Sequence, residues 1–113
     1  VDTDPDFFRD ISISGEATPI SPYTSEWIKV GDPAKLLRVF SFDNSNVLLS
    51  FVEELIDYQE YTGHHSTITI DHLDVSIETY TKDVGAITEL DLELAQTADD
   101  IFKDVMHFKL HNR

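Results

Sequence analysis

From Trp27 onward the apolar residues follow two periods, and the alternation between them predicts the elements. Residues 26–30 (EWIKV), the Gly31-Asp32-Pro33 punctuation and KLLRVFSF predict a β-hairpin with a short turn. In its second strand Leu36, Arg38, Phe40 and Phe42 share one face, and Leu37, Val39 and Ser41 the other. The period then lengthens. Val47, Leu48, Phe51, Val52, Leu55 and Ile56 recur at the spacing of one buried helix face, with Asp43 or Ser45 placed to cap its start and Gly63 just past its end. In HSTITIDHLDVSIETYT, Ile68 and Ile70, then Val75 and Ile77, alternate with polar residues. That pattern leaves open two strands with a bend near 71–74 or one long bent strand. A second helix opens after Ile87, with Thr88 as cap, Asp91 at the third helical position to complement the dipole, and Ile87 able to staple onto Leu92. Its apolar stripe is Leu94, Ala95, Ala98, Ile101, Phe102, Val105 and Met106. The order β-β-α-β-β-α predicts an α+β two-layer domain: a four-stranded antiparallel sheet with two long helices on one face.

Residues 1–24 break this regularity. They hold three of the four prolines (Pro5, Pro19, Pro22) and a Ser/Thr-rich run, and read as an irregular N-terminal arm that Phe7, Phe8 and Ile11 could pin to the body. Residues 25–113 then form one domain, as a chain of 113 residues suggests. The absence of cysteine excludes disulfides, Cys-ligated metal sites and thiol catalysis. Eight Lys+Arg against 22 Asp+Glu leave a formal charge of −14, which argues against nucleic acid and anionic membranes as direct partners. The apolar runs are too short to span a bilayer, and the acidic VDTDPDFFRD start does not read as a signal or transit peptide. The expectation is a cytoplasmic protein.

Chemistry concentrates in Glu60-Tyr61-Thr62-Gly63-His64-His65, where the first helix gives way to the third strand. Two histidines at a helix C-terminus sit in a field that favours the imidazolium, and histidine exchanges protons near neutrality. Glu60, one turn before His64, can orient or charge-balance an imidazole. The plainer reading is a histidine pair that merely ends a helix at the surface. A metal site joining His64, His65 and His72 with Asp71 or Asp74 lacks standard ligand spacing, and His107 with His111 reads more simply as a solvated tail. Phosphate-binding glycine loops, G-x-S-x-G and HExxH are absent from the sequence.

Taken together, Glu60-x-x-x-His64-His65-Ser66, Trp27, Leu36-Leu37-Arg38-Val39-Phe40-Ser41-Phe42 and Gly85-Ala86-Ile87-Thr88-Glu89-Leu90-Asp91 resemble the pterin-4a-carbinolamine dehydratase family. The resemblance runs from Trp27 to Asp91 and leaves out the arm. It implies a hydro-lyase acting on 4a-hydroxytetrahydrobiopterin in tetrahydrobiopterin recycling, releasing water and quinonoid dihydropterin without metal or cofactor. By family position His64 and His65 act on the pterin and Glu60 supports them. Gly63 and the segment Tyr80, Thr81, Lys82 and Asp83 line the substrate pocket. A homodimer or homotetramer is also implied.

The departures are specific. Lys82 stands where the family has a third active-site histidine, His72 where it has an aromatic residue, Leu90 where it often has a basic one, and Ser66 where it usually has proline. The same fold occurs in proteins resembling RuBisCO assembly factors, where the histidine pair is lost, and a vertebrate dehydratase doubles as a dimerisation partner of a homeodomain transcription factor. Retention of His64 and His65 points to an enzyme. Lys82, His72 and Leu90 point to a binding or assembly protein.

Overall fold

A computed structural model describes residues 26–111, the last four by their backbone alone. The arm lies outside the described residues, and with it the expectation for Phe7, Phe8 and Ile11. Six elements follow in the predicted order: β1 (Ile28–Val30), β2 (Lys35–Ser41), α1 (Ser45–Thr62), β3 (Thr67–Asp71), β4 (Asp74–Thr79) and α2 (Glu89–His111). The strands form one antiparallel sheet in the order β1-β2-β4-β3. The ambiguous stretch therefore resolves into two strands, joined by a tight turn in which His72 takes a positive φ of 57°.

Pairing puts Leu36 opposite Thr79, Arg38 opposite Ile77 and Phe40 opposite Val75, and it puts Ile77 opposite Ile68. Cross-strand partners point to the same face, so one face carries Leu36, Phe40, Val75 and Ile77, all buried, and the other Val39, Ser76 and Glu78. Leu48, Phe51 and Leu55 of α1 and Leu94, Ala98 and Ile101 of α2 complete a single core with the first set, joined by Trp27 and Phe42. Both helices thus cover the same face, as the alternation in β2 requires. Phe40, Phe42, Phe51 and Phe102 meet with ring centroids 4.7–6.2 Å apart, within the range of favourable aromatic pairs.

Arg38 shares the inward face but does not behave as a core residue. Its guanidinium lies 4.2 Å from the Phe40 ring centroid and 5.3 Å from that of Phe102, and it donates to Asp99 at 2.8 Å. Trp27 Nε1 donates to the same Asp99 oxygen at 2.8 Å. A residue that breaks the apolar run thus ties the sheet to α2 through one carboxylate.

Two expectations for α1 are corrected. Its cap is neither Asp43 nor Ser45 but Asn44, which has an extended backbone and whose side-chain oxygen accepts the Val47 N–H at 3.0 Å. Its stripe also stops short at Ile56, which is 42% exposed, while Gln59 continues the buried face at 4%. Ile56 falls on the shoulder of the face that the 3.6-residue period turns outward by the last turns. In α2 the apolar stripe is buried or half-buried as predicted.

Candidate active site

At the end of α1, Gly63 adopts the left-handed conformation (φ 81°), and its N–H returns to the Gln59 carbonyl at 2.8 Å. A side chain with Cβ is strained in that region, so the glycine lets the helix stop abruptly and turn the chain towards β3. His64 and His65 sit on that turn and face different surroundings. The His64 ring is turned inward, its side chain only 12% exposed, and the His65 ring faces solvent.

The partner of His64 is Asp91, with Nε2 2.6 Å from Oδ1. Asp91 is wholly buried. Its Oδ1 also accepts from the Thr79 hydroxyl at 2.5 Å, and its Oδ2 accepts from Thr81 Oγ1 at 2.8 Å and from the Thr88 N–H at 2.9 Å. Thr88 caps α2, its Oγ1 accepting the Leu90 N–H at 3.2 Å and lying 3.5 Å from Asp91 Oδ2; the reciprocal bond, from the Thr88 N–H to the Asp91 carboxylate, makes a capping box. The sequence reading placed Asp91 at the third helical position as a dipole complement. That much is right, and a negative charge there is favourable. The structure adds that this carboxylate joins four segments: the turn after α1, the end of β4, the bridge at Thr81 and the start of α2. A carboxylate is an acceptor only. Nε2 of His64 must therefore carry the proton, which leaves Nδ1 as the basic nitrogen of the neutral ring.

Glu60 does not orient His64. Its Oε2 lies 3.0 Å from His65 Nε2, and the pair is largely exposed, at 72% and 53% of the two side chains. The helix explains the difference: the αL residue at Gly63 swings His64 under the sheet end and leaves His65 beside the last turn of α1. The two histidines thus have one carboxylate each, one buried and one at the surface.

Thr81 belongs to the cluster through Asp91, and its N–H closes the following turn by bonding Ala86 O at 2.8 Å. Lys82 and Asp83 are exposed on that turn; the Lys82 carbonyl accepts the Gly85 N–H at 3.1 Å, while its side chain makes no hydrogen bond or ion pair among the described residues. Tyr80 is half-buried, with Lys35 Nζ 5.1 Å from its ring centroid. His72 is at the opposite end of β3 from His64, roughly 17 Å away for a five-residue strand. It cannot share a metal with the pair, and no cluster of three metal-ligating side chains occurs among the described residues. As for His107 and His111, α2 runs through His107, which is exposed, and ends at His111.

Two residues of this site escaped the sequence reading. Thr79 looked like one more polar position of an alternating strand, yet it falls on the inward face and is 1% exposed. Gln59 is not singled out by the apolar pattern, although a polar side chain at a position in register with Leu48, Phe51, Val52 and Leu55 is a signal for it.

Comparison with known proteins agrees with this geometry. The family model for pterin 4 alpha carbinolamine dehydratase matches residues 15–101, beginning inside the stretch read as an arm. A protein of Picosynechococcus sp. named "Putative pterin-4-alpha-carbinolamine dehydratase" is 36% identical over 76 residues, 67% of this chain and 80% of that protein. One of the same name from Nostoc sp. is 29% identical over 92 residues, 81% and 92% of the two chains. Among solved structures, a transcriptional coactivator/pterin dehydratase from Brucella melitensis superposes with a TM-score of 0.65 at 25% identity, covering 67% of this chain and 81% of that one. A pterin dehydratase-like protein identified as a RuBisCO assembly factor in the alpha-carboxysome gives a TM-score of 0.62 at 22% identity, over 71% and 93%. No helix among the described residues is long and apolar enough to cross a membrane.

Proposed function

Because the chain belongs to the pterin 4 alpha carbinolamine dehydratase family, we propose that it is a hydro-lyase that dehydrates 4a-hydroxytetrahydropterin with His64 and His65 as its acid–base pair. The observation that carries this reading is the Asp91–His64 contact. In the elimination the C4a–O bond breaks and its electron pair leaves with the oxygen, which takes up a proton to depart as water. N5 gives up its proton, and the electrons of that bond form C4a=N5 of the quinonoid dihydropterin. His64, with its Nε2 proton held by Asp91, has Nδ1 free to accept from N5. His65, charge-balanced by Glu60, donates to the leaving hydroxyl. Each transfer is worth about 10²–10⁴-fold when the group is well placed. Gly63, Tyr80, Thr81, Lys82 and Asp83 border the pterin, with Lys82 supplying a cation near the departing oxygen. The proposal includes a homodimer or homotetramer working in the cytoplasm as part of tetrahydrobiopterin recycling.

A second reading is a protein of this fold that binds or assembles a partner and has little activity. It is favoured by Lys82, which replaces a histidine and makes no bond to the Asp91 cluster. One experiment separates the two: a dehydratase assay on 4a-hydroxytetrahydropterin generated in situ, read above the uncatalysed rate. Acceleration by the wild type, lost in His64→Ala with the fold retained, supports the enzyme. A folded wild type without acceleration refutes it and moves the weight to the binding protein.

A further inference from the structure

Gln59 is a buried polar residue that the proposed chemistry does not use, and its side chain and carbonyl both bond to the turn that carries the histidines. Its backbone carbonyl accepts the Gly63 N–H at 2.8 Å and the Thr62 hydroxyl at 3.4 Å. Its side-chain Oε1 accepts the Ser66 N–H at 2.9 Å and the Ser66 hydroxyl as well. The amide orientation is fixed by chemistry, since a backbone N–H can only donate and must face the oxygen. One residue thus holds both ends of the turn, 63 on one side of the histidines and 66 on the other. Between those ends His64 is fixed by its N–H bond to Thr62 Oγ1 at 3.2 Å and by Asp91.

The chain at Ser66 needs this help. The residue lies just before the first residue of β3 and is half-buried, so its N–H is outside the sheet ladder and would lose its only protein partner among the described residues if Gln59 were apolar. We infer that Gln59 is a positioning residue for His64: by clamping Ser66 it sets the path of the histidine turn and hence the approach of His64 to Asp91. Proline at position 66 would reach the same end differently, with no N–H to satisfy and its φ fixed covalently. The two devices should therefore be interchangeable, and the need for Gln59 should vanish when the turn is stiffened at 66.

The test is a double-mutant cycle with Gln59→Leu and Ser66→Pro, singly and together. It is read by solvent exchange of the His64 Nε2 proton in NMR and by the dehydratase rate. The rate readout rests on the function proposed above, whereas the exchange readout does not, so a wild type without activity would sink that function and leave the clamp testable. Gln59→Leu alone should speed exchange, and slow the reaction, by roughly tenfold to a hundredfold, the scale of a small misplacement. In the Ser66→Pro background the same change should act by less than about twofold. If Gln59→Leu folds only when Ser66→Pro is also present, the clamp is equally supported. Equal effects in both backgrounds, unchanged exchange in Gln59→Leu, or failure of both Leu variants to fold would make Gln59 a general packing residue and overturn the inference.

Discussion

Exchanging Asp91 for asparagine replaces one charged carboxylate oxygen with a neutral NH₂ and leaves the shape of the site intact, so the outcome can be worked out bond by bond. The Thr88 N–H can only donate, and it will hold the new carbonyl oxygen where Oδ2 now sits, keeping the Thr81 bond as well. The amide NH₂ then takes the place of Oδ1, against Thr79 Oγ1 and His64 Nε2. Thr79 can rotate its hydroxyl to accept. His64 cannot rotate away from its own proton and must move it from Nε2 to Nδ1. Four charge-assisted bonds become neutral ones, each about half as strong, and the relief of a buried charge offsets part of that, for a net loss of roughly 1–3 kcal/mol. In a domain of this size that lowers the melting temperature by roughly 5–15 °C. The rate should fall by more than the stability suggests, by about 10²–10⁴-fold, because Nδ1 now bears a proton and no longer accepts one. Thermal unfolding gives the first number, imidazole nitrogen NMR the tautomer, and the dehydratase assay the rate. An Asp91→Asn protein whose His64 still carries its proton on Nε2, or whose rate stays within about twofold of the wild type, would refute the assignment of Asp91 as the partner that sets His64.

Three further outcomes follow from the same geometry. Lys82→His should raise dehydratase activity, since it restores a neutral-range acid–base group on the exposed turn beside Thr81; equal or lower activity would mean that the pocket works around lysine. Glu60→Gln should leave stability within about 0.5 kcal/mol in urea unfolding, because its bond to His65 is solvent-exposed, and any larger loss would show a structural role. Asp99→Ala should cost about 2–3 kcal/mol by the same measurement, since it removes the acceptor shared by Trp27 and the mostly buried Arg38; a loss below about 0.5 kcal/mol would show that stacking on Phe40 and Phe102 suffices.

The sheet and both helices were legible because their signals are periodic. Leu36, Phe40, Val75 and Ile77 alternate, Leu48, Phe51 and Leu55 recur at helical spacing, and burial follows directly from those intervals. The site was legible only in part. The histidine pair is adjacent in the chain and draws the eye, and so does Glu60 one turn earlier. The pairing of His64 with Asp91 spans 27 positions and depends on β3 and β4 returning the chain to the end of α1. Spacing cannot announce a contact of that kind. What it did offer was a local neighbour, Glu60, which the αL turn at Gly63 delivers to the other histidine. The caps of α1 show the same limit on a smaller scale. Asp43, Asn44 and Ser45 are all good capping residues, and only the backbone geometry chooses among them.

The hairpin tip at His72 has a practical consequence for handling this protein. It lies between His64 and Asp91 in the chain, at the end of the β3–β4 hairpin remote from both, and its residues 71, 72 and 74 are exposed. Exposed loop tips are where chains accept added sequence most readily. A reporter, a protease site or a fused loop placed there would lengthen the tether between the histidine turn and α2 without touching the strands that align them. The far tip is therefore the natural point at which to open the chain, and the turn at 82–85, only a residue from the Thr81–Asp91 bond, is the one to leave alone.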